Sequence, residues 1–93
     1  MRSISDLKTK TIVSNIRKIR EFRNYTQDYL AAKLKISQNA YSKIELGYSN
    51  ITLTRLVEIT EILEIELADI ICADGEDVIQ LKLSGQRLKQ SGG

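Results

Sequence analysis

Thr26-Gln27-Asp28-Tyr29-Leu30-Ala31-Ala32-Lys33-Leu34-Lys35-Ile36-Ser37-Gln38-Asn39-Ala40-Tyr41-Ser42-Lys43-Ile44-Glu45-Leu46-Gly47 reads as two short helices joined by a tight turn. Thr26 and Ser37 are candidate N-caps. Each has an apolar residue just before it, Tyr25 or Ile36, and another at the fourth helical position, Leu30 or Tyr41. This is the hydrophobic staple, present twice. The interval from Thr26 to Ser37 holds a helix of about two turns and a three- to four-residue turn, the spacing of a helix-turn-helix. Ser42-x-x-Glu45 matches a capping box in letters only, because it lies inside the second helix.

That second helix is expected to run from Gln38 to Leu46. At about 100° per residue, Ala40, Tyr41 and Ile44 share an apolar side, and Gln38, Asn39, Ser42 and Lys43 share the opposite arc. Amides, a hydroxyl and an ammonium are the groups that hydrogen-bond base edges in a major groove. A solvated helix face has the same composition, so the stripe alone does not choose between the two.

From Ile16 to Ile71 the chain resembles the phage-repressor and Cro type of helix-turn-helix domain, the XRE family. The match is carried by Ile16, Ile19-Arg20, Thr26-Gln27, Leu30-Ala31, Leu34, Ile36-Ser37, Ile44-Glu45 and Gly47, then by Leu53, Leu56, Ile59, Leu63 and Leu67. The resemblance implies an all-α, five-helix bundle of the lambda-repressor-like type, with the second and third helices forming the helix-turn-helix. It implies double-stranded DNA as the partner, with Gln38, Asn39, Ser42 and Lys43 facing bases. Gln27 and the loop residues Tyr48, Ser49 and Asn50 would face the phosphate backbone. It also pairs Arg20, a charge set close to an apolar stripe, with Glu45, giving both a mainly structural role. Two departures stand out. Lys35 occupies the turn position where relatives usually have glycine, and Ile51-Thr52 replaces the proline many relatives carry before the fourth helix.

The residues around this centre fill in the bundle. Residues 1–12 show no clear periodicity and read as an N-terminal arm, in which Lys8 and Lys10 could touch phosphates, although a plain frayed terminus explains the stretch better. The spacing of Ile16, Ile19 and Phe22 predicts a first helix over Val13 to Asn24, with Arg17, Lys18 and Arg23 outside. Gly47 is a helix stop. Ile51, Thr52 and Leu56 form a third staple opening a fourth helix, Leu53 to Leu63. Its apolar positions Leu53, Leu56, Val57, Ile59, Thr60 and Leu63 are expected in the core. A fifth helix over Leu67 to Cys72 follows Glu66, whose charge suits a helix start. The resemblance implies that this helix supplies part of a dimer contact, for which Ile71 and Cys72 are the candidates, and core packing would explain them equally well. The domain is thus placed at residues 13–73, and residues 74–93 form a tail. Within it Val78 to Leu83 nearly alternates and suits a short strand; with no pairing partner inside an all-helical domain, it is disordered, continues as a helix, or pairs with its copy in another subunit.

Composition narrows the function. Ninety-three residues make one domain. The single cysteine, Cys72, cannot form an internal disulfide and suits a reducing cytoplasm. With no histidine there is no imidazole chemistry and no histidine metal site, so neither an enzyme nor a cofactor protein is expected. No apolar run approaches the roughly 20 residues of a membrane span. Charge is lopsided: residues 1–50 carry ten Lys or Arg against four Asp or Glu, and residues 51–93 carry four against eight. A basic half containing the helix-turn-helix is the footprint of a DNA-facing surface. The expectation is a cytoplasmic, sequence-specific transcriptional regulator, acting as a homodimeric repressor on inverted half-sites. The alternative is a protein-interaction module such as the antitoxin of a toxin-antitoxin pair, docking a toxin through the acidic half and the tail, with DNA binding secondary or absent.

Overall fold

Three hydroxyls start three of the helices. The side-chain oxygens of Thr26, Ser37 and Thr52 accept from the backbone N–H of Tyr29, Ala40 and Arg55 at 3.0, 3.0 and 3.1 Å. Each caps an N–H that has no partner within the helix. The staples close around them. Tyr25, Ile36 and Ile51 pack on the core, and Leu30, Tyr41 and Leu56 are buried within it. This computed structural model describes residues 3–72, in which the elements are five α-helices: α1 Ile4–Phe22, α2 Gln27–Leu34, α3 Gln38–Glu45, α4 Leu53–Leu63 and α5 Leu67–Cys72. The tail and its expected strand over 78–83 lie outside the described residues.

Four helices end by one device. Asn24, Lys35, Gly47 and Glu64 take positive φ, at 61°, 60°, 78° and 57°. Each is followed by an apolar residue whose N–H reaches back five residues: Tyr25 to Arg20, Ile36 to Ala31, Tyr48 to Lys43 and Ile65 to Thr60. These are Schellman ends, which satisfy carbonyls that the helix leaves open. Lys35 adopts the left-handed conformation that glycine usually supplies, so the turn keeps its geometry with a side chain in place.

α1 packs against α3, α4 and α5, while α2 packs against α3 and α4. The shared core is Ile16 and Ile19 from α1, Leu30, Ala31 and Leu34 from α2, Tyr41 and Ile44 from α3, and Leu56, Ile59 and Leu63 from α4, closed by Ile65 and Ile70. Asn15 is also buried and donates from Nδ2 to the Ile70 carbonyl at 2.8 Å, which ties α1 to α5.

The first helix begins at Ile4, not Val13, so residues 4–12 are helix where an arm was expected. Their pattern is silent because Ile4 (85 % exposed) and Leu7 project beyond the packed part of the bundle. A helix already nucleated over the buried turns extends through them at little cost. Arg23, expected outside, folds inward: its Nε donates to the Leu63 carbonyl at 2.9 Å and its Nη2 to the Glu64 carbonyl at 3.3 Å, closing the end of α4. Leu53 (68 % exposed) and Val57 are at the surface, since the arc of α4 that meets its neighbours is Leu56, Ile59, Thr60 and Leu63. Ala40 is exposed too, at the margin between Ile44 and Lys43.

The left-handed lysine generates a test. A side chain at this φ is disfavoured by roughly 1–2 kcal/mol, partly offset by the extra freedom glycine brings to the unfolded chain. Lys35→Gly should therefore raise stability by roughly 0.5–1 kcal/mol, and the β-branched Lys35→Val should lower it by about 1 kcal/mol. Urea denaturation midpoints measure both, and a lower midpoint for Lys35→Gly would contradict this account of the turn.

Candidate nucleic-acid interface

α3 presents one face inward and one outward. Tyr41 and Ile44 are buried. Gln38, Asn39 and Lys43 are exposed and Ser42 is half-buried, and no side-chain hydrogen bond or ion pair engages these four within the described residues. The buried Ile44 anchors the helix on the core, and the Ser37 cap sets where it begins. The row of polar groups is therefore held on a rigid element with its donors and acceptors open to solvent.

The loop that follows is tied to the same helix. The Tyr48 N–H bonds to the Lys43 carbonyl at 3.0 Å, while the Tyr48 side chain is 78 % exposed. Ser49 is half-buried and Asn50 exposed. Gly47 has open space where a Cβ would stand, so its role is conformational, supplying the positive φ.

Beneath α3 lies a buried polar cluster. Arg20 Nε donates to Glu45 Oε2 at 2.6 Å and Arg20 Nη2 to Glu45 Oε1 at 3.1 Å, a two-pronged pair between α1 and the end of α3. Arg20 Nη1 donates to the Tyr25 carbonyl at 2.8 Å. The Tyr41 hydroxyl donates to Glu45 Oε2 at 2.5 Å, and Gln27 Nε2 to Glu45 Oε1 at 3.1 Å. Burial pushes the Glu45 carboxyl upward, but the bonds from Arg20, Tyr41 and Gln27, with the guanidinium charge, outweigh it and hold the group below its ordinary value. Burial first, then donation to Glu45, pushes the Tyr41 phenol above its usual range.

Two of these partners were not visible from sequence. Tyr41 carries a local signal, standing one turn before Glu45 on α3. The Gln27 contact has none, because it joins residues on different helices. Gln27 is half-buried at the first position of α2, and one of its amide N–H groups faces Glu45. The open groove between α2 and α4 is a separate feature, lined by Tyr25, Tyr29, Lys33, Leu34, Glu58 and Ile62 among others, and it includes no residue of α3.

The dimer candidates separate: Ile71 packs on the core and Cys72 is exposed. Among the described residues no helix is long and apolar enough to cross a membrane, and no group of three or more Cys, Asp and Glu could hold a metal ion.

Removing one member of a buried ion pair strands the other, at a cost of about 3–5 kcal/mol. The Glu45 side chain is 3 % exposed and that of Arg20 11 %, so Glu45→Gln should lower stability by about that amount at neutral pH. Because the folded carboxyl titrates below its ordinary 4.5, its contribution is present above pH 4.5 and is lost as pH falls through the lower folded value. The native chain should accordingly lose stability on acidification below pH 4.5, and Glu45→Gln should lack that part of the loss. Thermal unfolding across the acid range reads both, and parallel curves would exclude the assignment.

Comparison with known families bears on this geometry directly. Neither the curated proteins nor the solved structures give a match. The helix-turn-helix family model of the Cro/C1 type matches residues 16–70, which runs from the first buried isoleucine of α1 to Ile70 of α5 and takes in both helices of the motif. The chain belongs to the XRE family of helix-turn-helix DNA-binding proteins.

Proposed function

We propose that the chain is a sequence-specific transcriptional regulator, a homodimeric repressor that lays α3 in the major groove. The observation that carries this is the outward row on α3, in which Gln38, Asn39, Ser42 and Lys43 are engaged by no other described side chain. Gln38 and Asn39 would read adenine through two-pronged amide contacts, Lys43 would favour guanine or a phosphate, and Ser42 would add a weaker contact. Gln27, Tyr48, Ser49 and Asn50 would fix register on the backbone. A two-fold dimer would read inverted half-sites centred about 34 Å apart.

A second reading has its own observation. Glu58, Glu61 and Glu64 are exposed on and just after α4, beside the groove that holds Tyr25 and Tyr29. An acidic, aromatic surface turned away from phosphate suits a protein partner, as an antitoxin would need for its toxin. The two readings differ in salt dependence. A phosphate-bound regulator loses affinity steeply with salt, the slope of log affinity being about −0.9 per phosphate neutralised.

Selection of duplexes from a random pool should return an inverted repeat. Against it, Gln38→Ala should lose about 1–3 kcal/mol of discrimination at one base pair, whereas Gln27→Ala should weaken all sequences alike. Uniform loss for both variants would remove the base-reading role, and failure to retain any duplex at low ionic strength would remove the regulator.

A further inference from the structure

Glu45 closes α3 with its carboxylate fully used. An ionised carboxylate offers about four lone-pair sites. Here Arg20 Nε, Arg20 Nη2, the Tyr41 hydroxyl and Gln27 Nε2 fill them. Three of these bonds answer the burial of charge: the guanidinium neutralises the carboxylate, and the phenol, itself buried, completes it. The fourth donor differs. Gln27 is only half-buried, and its polar end could be satisfied by water. A glutamine left to water samples many rotamers and would lose that freedom, up to about 2 kcal/mol, whenever it bound anything. Held by Glu45, it has lost that freedom already.

The geometry also fixes what remains available. One N–H of the Gln27 amide is committed to Glu45 Oε1 at 3.1 Å, and the amide is planar, so the second N–H and the carbonyl oxygen keep set directions. Arg20 turns three of its five N–H groups to Glu45 and the Tyr25 carbonyl, so those three do not serve a phosphate. Its charge cancels that of Glu45, so the buried carboxylate does not oppose an anion at Gln27.

We propose that Glu45 is a positioning residue for DNA binding: from the end of α3 it orients the Gln27 amide of α2 so that the amide's second N–H meets a phosphate. The base-reading helix and the backbone contact then move as one piece, joined by a hydrogen bond between their side chains. The inference rests on the DNA-binding reading above.

Two measurements on the full chain test it. The first needs no DNA. In the ¹⁵N-labelled protein the side-chain amide of Gln27 should be protected from solvent exchange, and should shift when acid protonates Glu45, while that of the exposed Gln38 does neither. Gln27 behaving like Gln38 would overturn the positioning whatever the protein binds. The second is a double-mutant cycle on affinity for the selected duplex. In the native background Gln27→Ala should cost about tenfold, the size of one hydrogen bond to a charged group. In the Glu45→Ala background, which leaves Gln27 no acceptor at this position, the same change should cost less than about twofold, since non-additivity is what a shared contact produces. Equal costs in the two backgrounds would overturn the proposal. No cost in the native background would remove the phosphate contact and with it the thing being positioned. If Glu45→Ala does not fold, the amide measurement on the native chain decides alone.

Discussion

A carboxylate withdrawn from water must be met by donors, and the donors that meet Glu45 determine how three helices sit against one another. Arg20 comes from α1, Gln27 from α2 and Tyr41 from α3 itself. Apolar burial drives these helices together but has no direction, so Ile19, Leu30 and Ile44 alone would tolerate some rotation of α3 about its axis. The hydrogen bonds do not. A buried ion pair adds little net stability over a well-packed apolar substitute. What it adds here is an angle: rotating α3 would pull Glu45 out of reach of two other helices, and the same angle decides where Gln38, Asn39 and Lys43 point.

The turns impose the second constraint. Between α1 and α2 stands Arg23-Asn24-Tyr25-Thr26, and between α2 and α3 Lys35-Ile36-Ser37. In both, a left-handed residue ends one helix, an apolar residue packs on the core, and a hydroxyl starts the next helix. Tyr25 and Ile36 thus each belong to two motifs, the end of one helix and the staple of the next. A turn in which one residue does both has no slack. Between α3 and α4 the two tasks fall to different residues, Tyr48 and Ile51, and Ser49-Asn50 come out between them. The short polar loop beside α3 exists because this junction is opened and the others are closed.

What is local in this fold could be read in advance. Caps at Thr26, Ser37 and Thr52 are local, set by residues within four positions, and the sequence shows them directly. The helix-turn-helix and the bundle follow from them and from the family resemblance. Periodicity, however, tells which residues share a face and not whether a neighbour covers it. Leu53 and Val57 lie one turn apart with helical spacing and still meet solvent, and Ile4 and Leu7 belong to helical turns that no stripe reveals. Arg23 escapes for another reason: its long side chain can lie along the surface or turn in to the carbonyls of Leu63 and Glu64, and only the position of α4 selects the second. At the interface, the outward arc of α3 was legible from its spacing, whereas the bond from Gln27 to Glu45 required knowing how α2 crosses α3.

The cations divide by chemistry. Arg20, Arg23 and Arg55 turn their planar groups toward carbonyls and carboxylates of the chain itself, and Arg20 grips Glu45 with the two-pronged fork that guanidinium favours. The lysines of the motif, Lys33, Lys35 and Lys43, stay exposed, Lys33 standing 5.7 Å from the centre of the Tyr29 ring. Arginine therefore builds the fold, and lysine supplies the field around it. On the proposed duplex these would be different sources of binding. Lysine attraction to phosphate acts on any sequence and weakens with salt, because it works by releasing counterions. The amides of Gln38 and Asn39 are neutral, and their contribution depends on the base in front of them and not on ionic strength. Affinity and discrimination would then sit on separate side chains, with the Glu45 cluster fixing the geometry between them.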